Sequence, residues 1–284
     1  MSDNDFDLEA WLRRIGYQGP RSPTLETLRG IILAQATTIP FENLDVLLGR
    51  PPKLDLESLQ QKMIVDGRGG YCFELNSLLR AGLLALGFEV TGLIARVVRS
   101  LNADAGAPAG HMILRVDLPE GEFLADTGFG NLTPTAPLAM RPDIEQATPH
   151  ETMRLRPMGE ELLLEAKTGA DWEHFYRLSP HPRLDMDYEV ANWFTATHPK
   201  SPFVANLVAA RAAPDGVRHS FFNGRLSVRR SSAPAERRML DNDAEYASVL
   251  SGTFGLSLPG ADVQAMLDIL DRKGMRGATG PFFA

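Results

Sequence analysis

Along residues 75–86 the apolar positions Leu75, Leu78, Leu79, Leu83 and Leu86 recur at three- and four-residue spacing. That is the period of a helix with one apolar face. Gly87 follows where such a helix would stop, and the whole of 8–88 reads mainly as helix. From Glu89 the period changes. Residues 90–98 are rich in β-branched side chains, 111–118 reads as a further strand, and 123–126 follows the turn signal Pro119-Glu120-Gly121. Strand-like segments recur at 152–155, 161–166 and 175–178. After about Ser201 the pattern mixes again, with a short strand pair near 221–229 and a helix over 262–272. The predicted fold class is α+β, in three parts: 1–88 helical, 89–200 mostly antiparallel sheet, 201–284 mixed.

Composition narrows the class of molecule. The chain has 284 residues, 44% of them hydrophobic and 23% charged, as in ordinary globular proteins. Its longest apolar stretches fall far short of the roughly 20 residues that a bilayer span needs. The N-terminus is acidic and polar, without a basic segment leading into an apolar one. The expectation is a cytoplasmic protein with no membrane association. A net charge of −7, from 29 basic and 36 acidic residues, argues against a nucleic-acid surface. A local basic cluster could still hold a small anion. With one cysteine the chain can form no intrachain disulfide and no multi-cysteine metal site, and no metal is expected. The question is whether that thiol is inert or nucleophilic.

Cys72 stands in Arg68-Gly69-Gly70-Tyr71-Cys72-Phe73-Glu74-Leu75-Asn76. The two glycines permit a tight turn, and the helix is predicted to begin at about Cys72. A thiol in a first helical turn faces free N–H groups and the positive end of the helix dipole, which favour a thiolate. The same N–H groups suit an oxyanion on a thioester carbonyl. Against this, Cys72 shares a helix face with Leu75 and Leu79, and free cysteines are commonly small core hydrophobes. A cysteine nucleophile also needs a base, and the base an orienting group. Six histidines compete: His111, His150, His174, His181, His198 and His219. His111 opens a strand after a flexible segment, a good place to project a ring into a cleft. Asp126 ends the next strand, where it could equally serve the following turn. A hairpin turning at Glu120-Gly121 pairs Leu118 with Phe123 and sets Asp126 opposite Arg115. His111 then lies four residues further along the same face, roughly 13 Å away. Spacing alone leaves the pairing open.

These residues resemble the arylamine N-acetyltransferase family. The blocks that carry the likeness are Trp11-Leu12-Arg13-Arg14-Ile15-Gly16-Tyr17 with Pro23-Thr24-Leu25-Glu26-Thr27-Leu28, and Ile39-Pro40-Phe41-Glu42-Asn43-Leu44-Asp45. To these add the cysteine block, and His111 with Ala125-Asp126-Thr127-Gly128-Phe129-Gly130. A weaker block is Asn192-Trp193-Phe194-Thr195-Ala196-Thr197-His198-Pro199. The likeness covers most of 10–205 and fades beyond. It implies a cysteine-peptidase-like core with a helical domain, a β-barrel domain and an α/β lid. It implies Cys72 as nucleophile, His111 as base and Asp126 as the group that fixes the imidazole, overriding the hairpin register above. Phe129, Gly130, Phe41, Val98 and Phe203 map to the pocket for the acyl group and amine, and Glu42 with Arg68 to a supporting ion pair. Thr127 departs from the family, many of whose members carry valine there, with little expected consequence for the triad.

The activity so implied is transfer of an acetyl group from acetyl-CoA to an aromatic amine or hydrazine, in two half-reactions through an acetyl-cysteine. The rivals are a thiol hydrolase or transglutaminase-like enzyme on the same core, and a non-catalytic binding module. Acetyl-CoA with an arylamine, against a peptide, separates the two enzymes, and a thiolate titration tests the third. Arg225, Arg229, Arg230, Arg237 and Arg238 could hold CoA phosphates, although such a run is more often a solvated face. Nothing in the pattern sets an oligomeric state.

Overall fold

Each early helix starts where a side chain can accept from a free N–H group. In the computed structural model, which describes residues 6–230 and 234–278, helix α1 (Leu8–Ile15) is capped by Asp7 and α2 (Leu25–Thr38) by Thr24. A short strand β1 (Phe41–Glu42) precedes α3 (Leu44–Leu47). Helix α4 (Leu56–Gln60), capped by Asp55, runs into a π-helical turn, Gln61–Val65. Helix α5 spans Cys72–Ala85, so it begins at the cysteine as its apolar period predicts. It ends in a Schellman motif: the N–H of Phe88 donates to Leu83 O (3.0 Å) and that of Gly87 to Leu84 O (3.0 Å).

The middle of the chain supplies β2 (Glu89–Val97), β3 (Ala109–Leu118), β4 (Gly121–Ala125), β5 (Leu138–Ala139), β6 (Gln146–Ala147), β7 (Thr152–Met158), β8 (Glu161–Thr168) and β9 (Asp171–Leu178). They form one sheet in the order β5-β4-β3-β2-β9-β8-β7-β6. Its two ends meet. The Gln146 amide accepts from Ala139 N at 2.7 Å and donates to Ala139 O at 2.9 Å, a side chain imitating a strand pair. The sheet is therefore a nearly closed barrel.

Helix α6 (Asp185–Thr197) and the turn α7 (Pro202–Ala205) follow. Then come β10 (Val208–Ala212), β11 (Val217–Phe222), β12 (Arg225–Arg230), β13 (Glu236–Met239), α8 (Asp243–Ser248), a second π-helical turn and α9 (Gly260–Arg272). These strands take β1 as their edge, in the order β1-β10-β11-β12-β13. Helix α6 and strand β10 were not expected from the pattern. In α6, Met186, Val190 and Trp193 face solvent, as does Leu184 just before it, which hides the apolar period of a core-facing helix.

The hairpin corrects the expected register by two residues. Leu118 pairs with Gly121, Val116 with Phe123 and Leu114 with Ala125, so the turn is Pro119-Glu120. Asp126 then continues level with Ile113 rather than Arg115. His111 lies only two residues away on the same face, within reach of a carboxylate. A register shift opposite Ala95 and Arg96 leaves Gly110 as an extra residue on β3. That irregularity sits immediately before His111. The expected obstacle to contact disappears.

Candidate active site

Cys72 begins α5 with its side chain buried, 4% exposed, against the end of β3. Its thiol lies 3.7 Å from Gly110 O, the carbonyl released at the bulge. The preceding glycines do not loosen a turn, since neither adopts positive φ. They admit a close approach: a Cβ on Gly69 would sit 2.2 Å from Pro40 O. Glu42 N donates to Gly70 O at 3.0 Å, so β1 docks directly on this segment. At α5 itself, Glu74 Oε2 accepts from Tyr71 N at 3.0 Å and caps the helix.

That cap belongs to a larger charge network than the expected pair. Arg68 binds Glu42 through Nε and Nη2 at 2.9 and 2.7 Å. Lys62 binds Asp45 at 2.6 Å and Glu74 at 2.7 Å, and Arg68 Nη2 lies 3.3 Å from Asp45. Burial works against the charge on Lys62, but the Glu74, Glu42 and Asp45 carboxylates outweigh it and raise its pKa. Burial raises the Glu74 pKa, with Lys62 opposing. Two cations thus hold three carboxylates at the start of the helix that carries the thiol.

Asp126 is fully buried and saturated with donors. Oδ1 accepts from Asn76 Nδ2 at 2.9 Å and Gly128 N at 2.8 Å. Oδ2 accepts from the Tyr176 hydroxyl at 3.0 Å and lies 2.8 Å from His111 Nε2. Burial would raise the carboxyl pKa, but His111 and these hydrogen bonds bring it below the usual carboxylate range. Burial likewise disfavours an imidazolium at His111, yet Asp126 outweighs it and the pKa is pushed up to about 10. Cys72, close to the same ring, favours its cation further. With Nε2 committed to Asp126, the nitrogen facing the thiol is Nδ1. The ring is wedged between Phe129 and Tyr176, at centroid distances of 5.3 and 5.0 Å.

Asn76 and Tyr176 carried no assignment from the sequence. Asn76 lies one turn beyond Cys72 on the same face of α5. It donates to Met112 O at 2.7 Å and accepts from Thr127 N at 2.9 Å, besides its bond to Asp126. A buried asparagine within an apolar helix was the available signal, because such a group needs partners. Tyr176 had none beyond its place in a strand.

A cavity of about 900 Å³ opens above the thiol, with Cys72, His111, Gly128 and Phe129 on its wall. Phe41 and Phe203 line it too, their ring centroids 5.9 Å apart. Ile94, Leu101, Val190 and Phe194 continue the apolar lining. Val98 is not on the wall: Val97 and Arg99 line the cavity, whereas Val98, just past the end of β2, is buried against Ala107 and Leu163. Gly130 is also off the wall, behind the Phe41 ring, with its N–H donating to Thr133 Oγ1 at 2.8 Å. None of the five arginines considered for CoA lines it, and Arg229 is held by Glu151 at 2.6 Å. The cations that do are Arg96, Arg99, Arg183 and Lys200.

Helices packed on a nearly closed antiparallel barrel, with a thiol at a helix start set against a strand-borne imidazole and carboxylate, define a cysteine-peptidase-like fold. A family model for N-acetyltransferases matches residues 24–263. An arylamine N-acetyltransferase of Mycolicibacterium smegmatis is 40% identical over 274 residues, which cover 94% of this chain and 99% of the relative. The structure of Mycobacterium marinum arylamine N-acetyltransferase in complex with CoA is similar at a TM-score of 0.88 and 37% identity, covering 94% of this chain and 99% of that one. The chain belongs to the arylamine N-acetyltransferase family, and is an acyltransferase. Among the described residues no helix is long and apolar enough to cross a membrane.

Proposed function

We propose that the protein moves an acetyl group from acetyl-CoA to the nitrogen of arylamines or arylhydrazines through an acetyl-Cys72 intermediate. The observation that carries this is the buried Cys72 thiol beside His111 on the wall of an apolar cavity, with Asp126 bound 2.8 Å behind the imidazole. The Cys72 thiolate attacks the thioester carbonyl. The oxyanion forms beside the first turn of α5, whose N–H groups have no acceptor within the helix. The C–S bond to CoA breaks, and the departing thiolate takes the His111 proton. The amine then attacks acetyl-Cys72, His111 receives the amine proton, and the thiolate is restored. Asp126 orients the imidazole and stabilises its cation. Phe129, Phe41 and Phe203 supply apolar surface for the acyl group and ring, and acetyl-CoA serves as co-substrate.

The test is mass spectrometry of the protein after acetyl-CoA alone. One added acetyl group on Cys72, absent from Cys72→Ser, is expected, with parallel double-reciprocal lines in steady state. Intersecting lines with no acetylated protein would point to direct transfer. Cleavage of a peptide amide without acetyl transfer would favour the hydrolase.

A further inference from the structure

Helix α6 borders the cavity and also carries an apolar stripe that no described residue covers. Asp187, Val190, Ala191 and Phe194 line the cavity. Met186, Val190 and Trp193, spaced by four and three residues, lie together on the adjoining face, and are 70%, 66% and 64% exposed. Val190 belongs to both sets, so the cavity lining runs out over the helix without a polar break. Three large apolar side chains this exposed on one helical face need an explanation.

We infer that this shoulder is the outer part of the acceptor site, and that the preferred acceptors are extended, uncharged aromatic amines or hydrazides. The inference rests on the acetyl-transfer reading above. In that scheme CoA leaves before the acceptor enters, so the acceptor meets the full cavity of about 900 Å³. This is near the upper end for small-molecule pockets, and a one-ring amine reacting at Cys72 leaves most of it unfilled. A second apolar ring on a short linker follows the lining past Phe194 and Val190 and covers Met186 and Trp193. Leu101, across the cavity, is likewise apolar and 45% exposed.

The experiment compares kcat/KM for aniline and for 4-phenoxyaniline, with acetyl-CoA as donor, in the native protein and in Met186→Ser and Trp193→Ser. Both side chains are exposed, so neither substitution removes core packing. The native protein should prefer the two-ring acceptor, and each substitution should lower that preference by about eightfold, the worth of roughly 50 Å² of apolar contact at ~25 cal/mol per Å². An unchanged ratio of the two kcat/KM values would overturn the inference. So would self-association of the native protein in sedimentation that Trp193→Ser abolishes, which would give the stripe to a second copy. Transfer to neither acceptor would instead sink the acetyl-transfer reading beneath it.

Discussion

Asp126→Asn removes a charge at nearly constant shape, and the surrounding hydrogen bonds dictate its consequence. Two N–H donors, Asn76 Nδ2 and Gly128 N, point at Oδ1. The carboxamide oxygen must therefore take that position, which turns the new NH2 toward His111. Two donors cannot share a hydrogen bond, so His111 must present a bare Nε2 and carry its proton on Nδ1, the side facing Cys72. In that tautomer it cannot accept a proton from the amine. Charge acts in the same direction. Burial disfavours the imidazolium that Asp126 sustained up to about 10, and Cys72 alone is left to oppose it. A triad left in the wrong tautomer loses about 10⁴ in turnover, and acetylation here should fall by roughly 10³ to 10⁴. Acetylation of Cys72 by acetyl-CoA alone, timed by protein mass, reads the loss directly. Stability follows the same proton. A pKa raised from 6.5 to about 10 adds stability that is complete below about pH 6.5 and lost as pH rises through about 10. The native protein's advantage over the variant in urea should vanish above that pH. Undiminished acetylation would show that the Cys–His pair works without the carboxylate.

Two further substitutions test the support around the site. Thr127→Val removes the hydroxyl that accepts from Gln35 Nε2 at 2.8 Å; a buried N–H left without that partner should cost about 1–3 kcal/mol in urea unfolding, with acetylation rates little changed. Lys62→Met strands Glu74 and should destabilise by about 3–5 kcal/mol, while the double variant with Glu74→Gln should recover much of the loss; equal stability of the single and double variants would mean that the ion pair does not hold α5.

The helical period of α5, its start at the cysteine and its stop at Gly87 were all legible, because one apolar stripe and two end signals agree. Strands β2, β3 and β4 were legible too, but their register was not. It turns on whether Pro119-Glu120 or Glu120-Gly121 occupies the turn, and both carry turn residues. One choice separates His111 from Asp126, the other joins them, so only the family likeness anticipated the contact. Thr127 shows the opposite limit. The expectation for it concerns only the triad, yet its hydroxyl enters a buried chain in which Trp11 Nε1 donates to Gln35 at 2.9 Å and Gln35 to Leu75 O and Thr127. Those partners come from three distant segments, and no local pattern links them. Helix α6 escaped for a different reason. Its solvent face is as apolar as its buried one, so the amphipathic contrast that marks a surface helix is missing.

The thiol and the imidazole belong to different layers, and something must fix the gap between them. Cys72 rides on α5, while His111 and Asp126 belong to the barrel. Asn76, one turn along from Cys72, meets both neighbouring strands at once: Met112 O on β3, and Asp126 and Thr127 N just past β4. One amide therefore sets the height of the helix above the sheet at the turn that carries the Cys72 thiol. The same closeness explains Gly128, where a Cβ would come within 2.8 Å of Cys72 Cα. A side chain there would lift the helix from Asn76's partners and draw the thiol from the ring. The glycine and the asparagine are thus two halves of one constraint, the first permitting the approach and the second enforcing it.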